Sequence, residues 1–306
     1  MALPFRHLIS ADQLTPEIAN EIFDLADYMQ RICNMKGRID LLSDKIIGLL
    51  FFEASSRTIL SFQSAAQRLQ AGVIFAQGKE SSSLKKRESI RDTVLVTAGY
   101  CDLLVMRHEA EGAAREAADV SSVPFINAGD GSNEHPTQCL IDGYTIRREL
   151  GGIEGKHVAI GLDPLQSRAI HSLVIFLSSY RDMTITFVCP DSLKPPSQLL
   201  SMLRERGVRV HEAGDLADVT SADVIYLNRI QEERFADPGE FERLRSKFTL
   251  RKSMLANSKA LILDPLPRID EIGADVDSLP TAAYFRQAHY GVPMRMALLT
   301  LMLGRQ

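Results

Sequence analysis

The chain has 306 residues, 45% hydrophobic and 24% charged, a length that suits two domains and buries roughly 75% of the unfolded surface without a disulfide or metal staple. Thirty-five basic against 39 acidic residues leave a net charge of −4 with no long block of one sign, which argues against a nucleic-acid partner. No apolar run approaches the ~18 residues of a membrane span, and the N-terminal MALPFRHLISADQL lacks the apolar core of a signal peptide, so a cytoplasmic globular chain with no membrane association is expected.

Continuous apolar runs, which suit strands buried on both faces of a parallel sheet, alternate with segments of helical period. A helical pattern starting near Glu17 precedes the strand Lys45–Glu53. A helix near Arg57, the strand Ala71–Gln77, a helix near Glu88, the strand Asp102–Arg107, a helix near Glu111 and the strand Val123–Gly129 follow. A long helix then runs from Pro136 to the Gly151–Gly152 pair, the predicted hinge. The second series has strands at His157–Leu162, Met183–Cys189, Val208–Ala213, Asp223–Asn228 and Lys259–Asp264, with helices starting near Ser167, Pro196 and Phe241. The closing MRMALLTLML predicts a buried helix. Two successive βα series predict an α/β fold: two doubly wound parallel-sheet domains joined by the long helix, with a cleft between them. Cys33, Cys101, Cys139 and Cys189 have neither metal-ligand nor CxxC spacing and read as reduced core thiols.

The most informative segment is FFEASSRTILSFQSAAQRL. A buried strand ends at Glu53, and Ser55, Ser56, Arg57 and Thr58 then open a helix whose apolar residues are Ile59, Leu60, Phe62, Ala66 and Leu69. Unpaired backbone N–H groups and the helix dipole favour an anion there. The hydroxyls add donors, and Arg57 offers a fork matched to phosphate oxygens. Ser55 or Ser56 equally fits a plain N-cap. There is no Walker motif and no G-x-G-x-x-G, so a nucleotide has little support.

In HPTQCLID, Pro136 fits the first helical turn, which puts His135 at the helix mouth and Gln138 within the first turn. His135 can donate to a carbonyl or phosphate oxygen; it equally fits an ordinary cap. Arg107 ends a buried strand, at the edge where open α/β sheets bind ligands, or else forms a surface ion pair. Arg168 opens the helix after strand 157–162; Arg229 follows strand 223–228 directly, with Gln231 two residues on. Several basic and amide groups at strand ends suggest a substrate with more than one anionic group.

Taken together, these residues resemble the carbamoyltransferase family, in its aspartate-specific branch, over Leu8 to Leu303. Ser55-Ser56-Arg57-Thr58 is similar to the S-T-R-T motif and His135-Pro136-Thr137-Gln138 to H-P-x-Q, while VMRHEAEGAAR, DPLPRIDEI and YFRQAHYGVPMRMALL look like further signatures. The resemblance implies transfer of the carbamoyl group from carbamoyl phosphate to the amine of L-aspartate, giving N-carbamoyl-L-aspartate and phosphate in pyrimidine biosynthesis, without cofactor or metal. It implies a carbamoyl-phosphate domain over residues 1–135 with a C-terminal helix at about 290–306, packed back on it, and an aspartate domain over 136–289. Ser55, Ser56, Arg57 and Thr58 would hold the phosphate. Thr58, Arg107, His135 and Gln138 would contact the carbamoyl group. Arg168, Arg229 and Gln231 would hold the aspartate carboxylates, and Pro265 and Leu266 would present backbone carbonyls near the amine and carbamoyl groups. Ser82 and Lys86 would reach carbamoyl phosphate, and Lys86 also aspartate, in the site of a neighbouring subunit. A homotrimer with shared active sites is thereby implied, with room for regulatory chains. The chain departs from the family pattern at Ser56 for Thr, Arg87 for Gly, Leu162 for Gly and Asp264 for His. Alternative readings are a paralogue acting on a different acidic amine and a non-catalytic scaffold. Ornithine is disfavoured, because its cationic side chain would face Arg229.

Overall fold

The computed structural model describes residues 3–78, 88–230, 239 and 248–305. The chain forms two compact units, Met1–Ile141 with Tyr290–Gln306, and Asp142–His289. The first is built on a parallel sheet of β1 (His7–Leu8), β2 (Ile46–Phe51), β3 (Gly72–Gln77), β4 (Leu103–His108) and β5 (Phe125–Asp130), in the order β1-β5-β4-β2-β3. Its helices are α1 (Pro16–Asn34), α2 (Ser56–Arg68), α3 (Ile90–Ala98), α4 (Ala113–Val120) and the first turns of α5 (Pro136–Leu150). The second unit has a parallel sheet of β6 (His157–Gly161), β7 (Thr184–Val188), β8 (Arg209–Ala213), β9 (Val224–Leu227) and β10 (Leu261–Leu263), in the order β10-β9-β6-β7-β8. It carries α6 (Arg168–Leu177) and α7 (Ser197–Glu205). A final helix, α8 (Tyr284–Met302), starts in the second unit and ends in the first. No helix among the described residues is long and apolar enough to cross a membrane.

The α/β architecture of two parallel sheets and a C-terminal helix is the one the sequence pattern predicts. β1 is an addition. It is two residues long, too short for periodicity to register. The helix expected near Phe241 lies outside the described residues. Two inner strands are fully buried, as the continuous apolar runs predict: every residue of β5 and of β9 is buried. The strands at Gly72–Gln77 and Arg209–Ala213, expected to be buried on both faces, have no buried residue, because each stands at a sheet edge. In α1, Ala19, Ile22, Phe23, Ala26 and Met29 recur at helical spacing and are all fully buried. α8 covers the first unit with Met294, Met296, Ala297, Leu298 and Leu299, all buried. There the Met296 sulfur lies 3.6 Å from that of Cys33. The second core gathers Val188, Leu216, Ile225, Leu227, Ile262 and Tyr284.

Each sheet reverses its winding direction once. From β2 the chain moves outward to β3 and then crosses to the other side of β2 for β4, so β2 and β4 flank the reversal. In the second sheet β7 and β8 lie to one side of β6, and β9 lies to the other. A crevice opens beyond the carboxyl ends of the strands at such a reversal, because the flanking connections depart to opposite faces.

Candidate active site

At the first reversal, β2 ends at Phe51 and α2 begins at Ser56. Ser55 occupies the cap position, its carbonyl accepting the Ile59 N–H at 3.1 Å, but its side chain makes no capping hydrogen bond. The plain N-cap alternative is therefore not realised at Ser55. The first turn of α2 holds no acidic residue. Arg57 is its second residue and is exposed, while Thr58 is buried. A cation at a helix start opposes the dipole, so its position suits an anion placed there.

Arg107, near the end of β4, donates from Nη2 to Glu53 Oε1 at 2.8 Å. The ion pair thus exists, but the Arg107 side chain is only 12% exposed, so it is not an open-surface pair. It joins the ends of the two strands that flank the reversal.

His135 is 5% exposed and precedes α5, with its Nδ1 3.3 Å from Thr137 Oγ1. Its carbonyl accepts the Gln138 N–H at 2.9 Å. The loop leading to it is braced by Asp130, whose carboxylate accepts from Asn127 Nδ2 at 2.9 Å, the Gly112 N–H at 3.0 Å and the Glu134 N–H at 3.3 Å. Glu134 in turn accepts the Ala11 N–H at 2.7 Å. Gly131 is required in this loop: its φ is +53, and a Cβ would lie 2.7 Å from the Glu111 backbone nitrogen. Ser55, Ser56, Arg57, Thr58, Arg107, His135 and Gln138 are thus all placed at the carboxyl edge of one sheet.

The second reversal organises the other set. The Asn228 N–H donates to the Gly161 carbonyl at 2.7 Å, and the Leu162 N–H to the Asn228 carbonyl at 3.2 Å. The Asn228 side-chain amide also donates to Ser167 Oγ. Ser167 caps α6 through the Ile170 N–H at 3.3 Å. One residue after the cap stands Arg168, and one residue after Asn228 stands Arg229, so Asn228 ties together the backbones that carry both arginines. Gly161 has no alternative there: a Cβ would fall 2.3 Å from the Val188 carbonyl oxygen.

Beyond β10, Pro265 and Leu266 lie half-exposed in a turn where Leu266 has φ +60 and the Leu266–Pro267 peptide is cis. Arg268 anchors the far side, forking onto Asp277 and donating to Tyr284 Oη at 2.9 Å. The Arg268 bonds hold the Asp277 carboxyl below its ordinary range, and burial together with Asp277 pushes the Tyr284 hydroxyl up. Ser82, Lys86 and Gln231 lie outside the described residues, as does Arg87.

Sequence reasoning missed Glu53, the Asp130 brace, Asn228 and Arg295. Arg295 is 3% exposed, its guanidinium carbon 4.8 Å from the Phe62 ring centroid of α2. Burial pushes it down to about 9. The signal available was a lone cation inside the apolar MRMALLTLML.

The arrangement offers anion-binding groups in both units and hydrogen-bond donors for a polarised carbonyl in the first. Comparison with known proteins likewise gives two domains in this order. Residues 6–148 match the family model of the aspartate/ornithine carbamoyltransferase carbamoyl-P binding domain, and residues 154–302 that of the Asp/Orn binding domain. The aspartate carbamoyltransferase catalytic subunit of Methanocaldococcus jannaschii is 44% identical over 295 residues, covering 96% of each chain. A solved structure of the M. jannaschii aspartate transcarbamoylase catalytic subunit superposes with a TM-score of 0.91, at 44% identity, over 97% of this chain and 98% of the other. Aspartate transcarbamoylase of Trypanosoma cruzi, solved with carbamoyl phosphate and aspartate, superposes with a TM-score of 0.90, at 37% identity, over 97% and 96%. With both domains matched in order and nearly the whole length aligned, the chain belongs to the aspartate/ornithine carbamoyltransferase family.

Proposed function

We propose that the chain transfers the carbamoyl group of carbamoyl phosphate to the amine of L-aspartate, with the first unit binding the phosphate ester and the second the amino acid. The observation that carries this reading is the placement of both basic sets at sheet reversals: Arg57 and Arg107 beside β2 and β4, Arg168 and Arg229 beside β6 and β9. In this reading, the open α2 N-terminus with Ser55, Ser56, Arg57 and Thr58 holds the phosphate. Thr58, Arg107, His135 and Gln138 meet the carbamoyl group, and its developing oxyanion is stabilised by donors fixed in advance by the Glu53 pair and the Asp130 brace. Arg168 and Arg229, with Gln231, receive the two carboxylates. The new C–N bond forms as the C–O bond to phosphate breaks, the amine's proton passes to the departing phosphate, and Arg57 meets the remaining charge of that phosphate. The product is N-carbamoyl-L-aspartate, a precursor suited to pyrimidine synthesis.

The test is a colorimetric assay for ureido product, with carbamoyl phosphate and a panel of amines. Aspartate should react best; an inert aspartate beside a reactive acidic amine overturns the substrate assignment.

The same proposal includes a cytoplasmic homotrimer with shared sites. Its support is apolar surface on the first unit: Leu60, Phe75, Leu95, Val96 and Tyr100 are exposed, and β3 is an edge strand with no buried residue. Ser82 and Lys86 would complete a neighbour's site. Arg57→Ala and Lys86→Ala chains, each nearly inactive, are dissociated, mixed equally and reassociated. About a quarter of wild-type activity should return, because roughly three quarters of trimers are mixed and each has one intact interface. No recovery after demonstrated exchange overturns shared sites.

A further inference from the structure

We propose that Asp264 is a positioning residue of the transfer site, holding the Pro265–Leu266 turn so that its two backbone carbonyls face the nitrogen-bearing groups of the substrates; this rests on the reading above. The turn has the marks of an acceptor site. Pro265 and Leu266 are half-exposed, and among the described residues neither carbonyl accepts a hydrogen bond. Backbone oxygens on two consecutive residues suit N–H donors, and the reaction brings two such groups together, the carbamoyl NH₂ and the attacking amine.

Leu266 sits in the left-handed region at φ +60, which a residue with a side chain adopts only when its surroundings enforce it. Asp264 provides the restraint from one side: its carboxylate Oδ1 accepts the Leu266 N–H. This is the local i to i+2 bond that Asp and Asn make in turns. Asp264 is itself held, 1% exposed, with its N–H donating to Gln287 Oε1 at 2.9 Å. Gln287 Nε2 donates to Asp142 Oδ1 at 2.7 Å, so the turn is referred through α8 to the body of α5. On the far side, the Arg268 fork and Glu271, which accepts the Ile269 and Asp270 N–H groups at 2.9 Å each, fix the exit. One oxygen of the Asp264 carboxylate is thus engaged by the turn that follows it. Through that bond Asp264 acts on the rate by geometry, setting the torsion of Leu266 and with it the direction of the turn's carbonyls.

The test separates the hydrogen bond from the charge. Asp264→Asn keeps an acceptor oxygen at the same reach and loses the charge; Asp264→Glu keeps the charge and displaces the acceptor by one methylene. Asp264→Asn should hold kcat within about threefold of wild type. Asp264→Glu and Asp264→Ala should lower kcat about tenfold or more, since small misplacements of reacting groups are expensive in rate. The dissociation constant for inorganic phosphate, measured by calorimetry, should stay within about twofold in all three. The proposal is overturned if Asp264→Glu or Asp264→Ala keeps wild-type kcat, if Asp264→Asn is as impaired as Asp264→Glu, or if phosphate binding falls in step with kcat. Wild-type chain inactive with aspartate would instead overturn the carbamoyltransferase reading, and this proposal with it.

Discussion

Two helix starts in the same unit are built in opposite ways. α1 begins with Thr15, whose hydroxyl accepts the Ile18 N–H at 3.5 Å, followed by Pro16 and then Glu17 in the first turn. Its orphan N–H groups are reduced by the proline, and its dipole is answered by a carboxylate. α2 begins with Ser55, which makes no side-chain cap, has no first-turn acid, and carries Arg57 instead. The first start is satisfied by its own sequence. The second has neither a side-chain cap nor a first-turn acid, and it lies at the β2–β4 reversal. A helix end that forgoes ~1 kcal/mol of capping and ~0.3–1 kcal/mol of dipole complementarity is the kind of place the proposed reading assigns to the phosphate.

The sharpest way to break this comparison is Arg57→Ala. Turnover should fall by about 10²–10³-fold, equivalent to ~3–4 kcal/mol of lost transition-state stabilisation, with an unchanged melting curve. Near-normal kcat at saturating carbamoyl phosphate removes Arg57 from the mechanism. In the second unit, Arg229→Ala should raise KM for aspartate by about ten- to a hundredfold, the loss of a charge-assisted hydrogen bond. Calorimetric affinity for inorganic phosphate should not change, and equal loss of both would show that Arg229 is not confined to the amine substrate.

A reciprocal pair sharpens the contrast. Ser55→Ala should weaken phosphate binding by about five- to tenfold, the worth of one hydrogen bond, and leave thermal stability alone. Thr15→Ala should do the opposite: kinetics unchanged, and ~1 kcal/mol of stability lost, seen as a fall of about 2–4 °C in Tm. If both variants lose stability equally, α2 is a capped helix like α1.

The smallest effect is a pH dependence that only α1 possesses. The Thr15 hydroxyl and the backbone hold the Glu17 carboxyl below its ordinary value. A carboxyl with a depressed folded-state value contributes stability that is present above its unfolded value, near ~4.3, and is lost as pH falls through the folded one. Urea melts taken from pH 6 down to 3 should therefore show a shallower acid loss in Glu17→Gln. An identical slope would mean that Glu17 does not feel its cap.

Much of this was readable from the chain because the relevant signals are local. Fully buried parallel strands appear as unbroken apolar runs, and Ser-Ser-Arg-Thr before an apolar period marks both the helix and its unusual start. What escaped depends on which strands become neighbours. Glu53 and Arg107 meet only because β4 crosses to the far side of β2, and Asn228 meets Ser167 only because β9 does the same beside β6. Nothing in a single strand encodes that adjacency. β1 was too short to show a period. Asp264 was visible as a departure from the family pattern, but its bond to the Leu266 N–H depends on a backbone torsion that residue types do not reveal.

The first unit takes its last element from the far end of the chain, since Tyr290–Gln306 belongs with Met1–Ile141, and that has a consequence for how the protein is made. Asp142–His289 is contiguous and has all of its residues as soon as it leaves the ribosome. The earlier unit must wait for residues translated after the whole of the later one. At ~5–20 residues per second the delay is on the order of ten seconds. Throughout it, Phe62 and Cys33 lack the partners that Arg295 and Met296 later provide. The face of the first unit that α8 covers therefore stays uncovered until the second unit has been made.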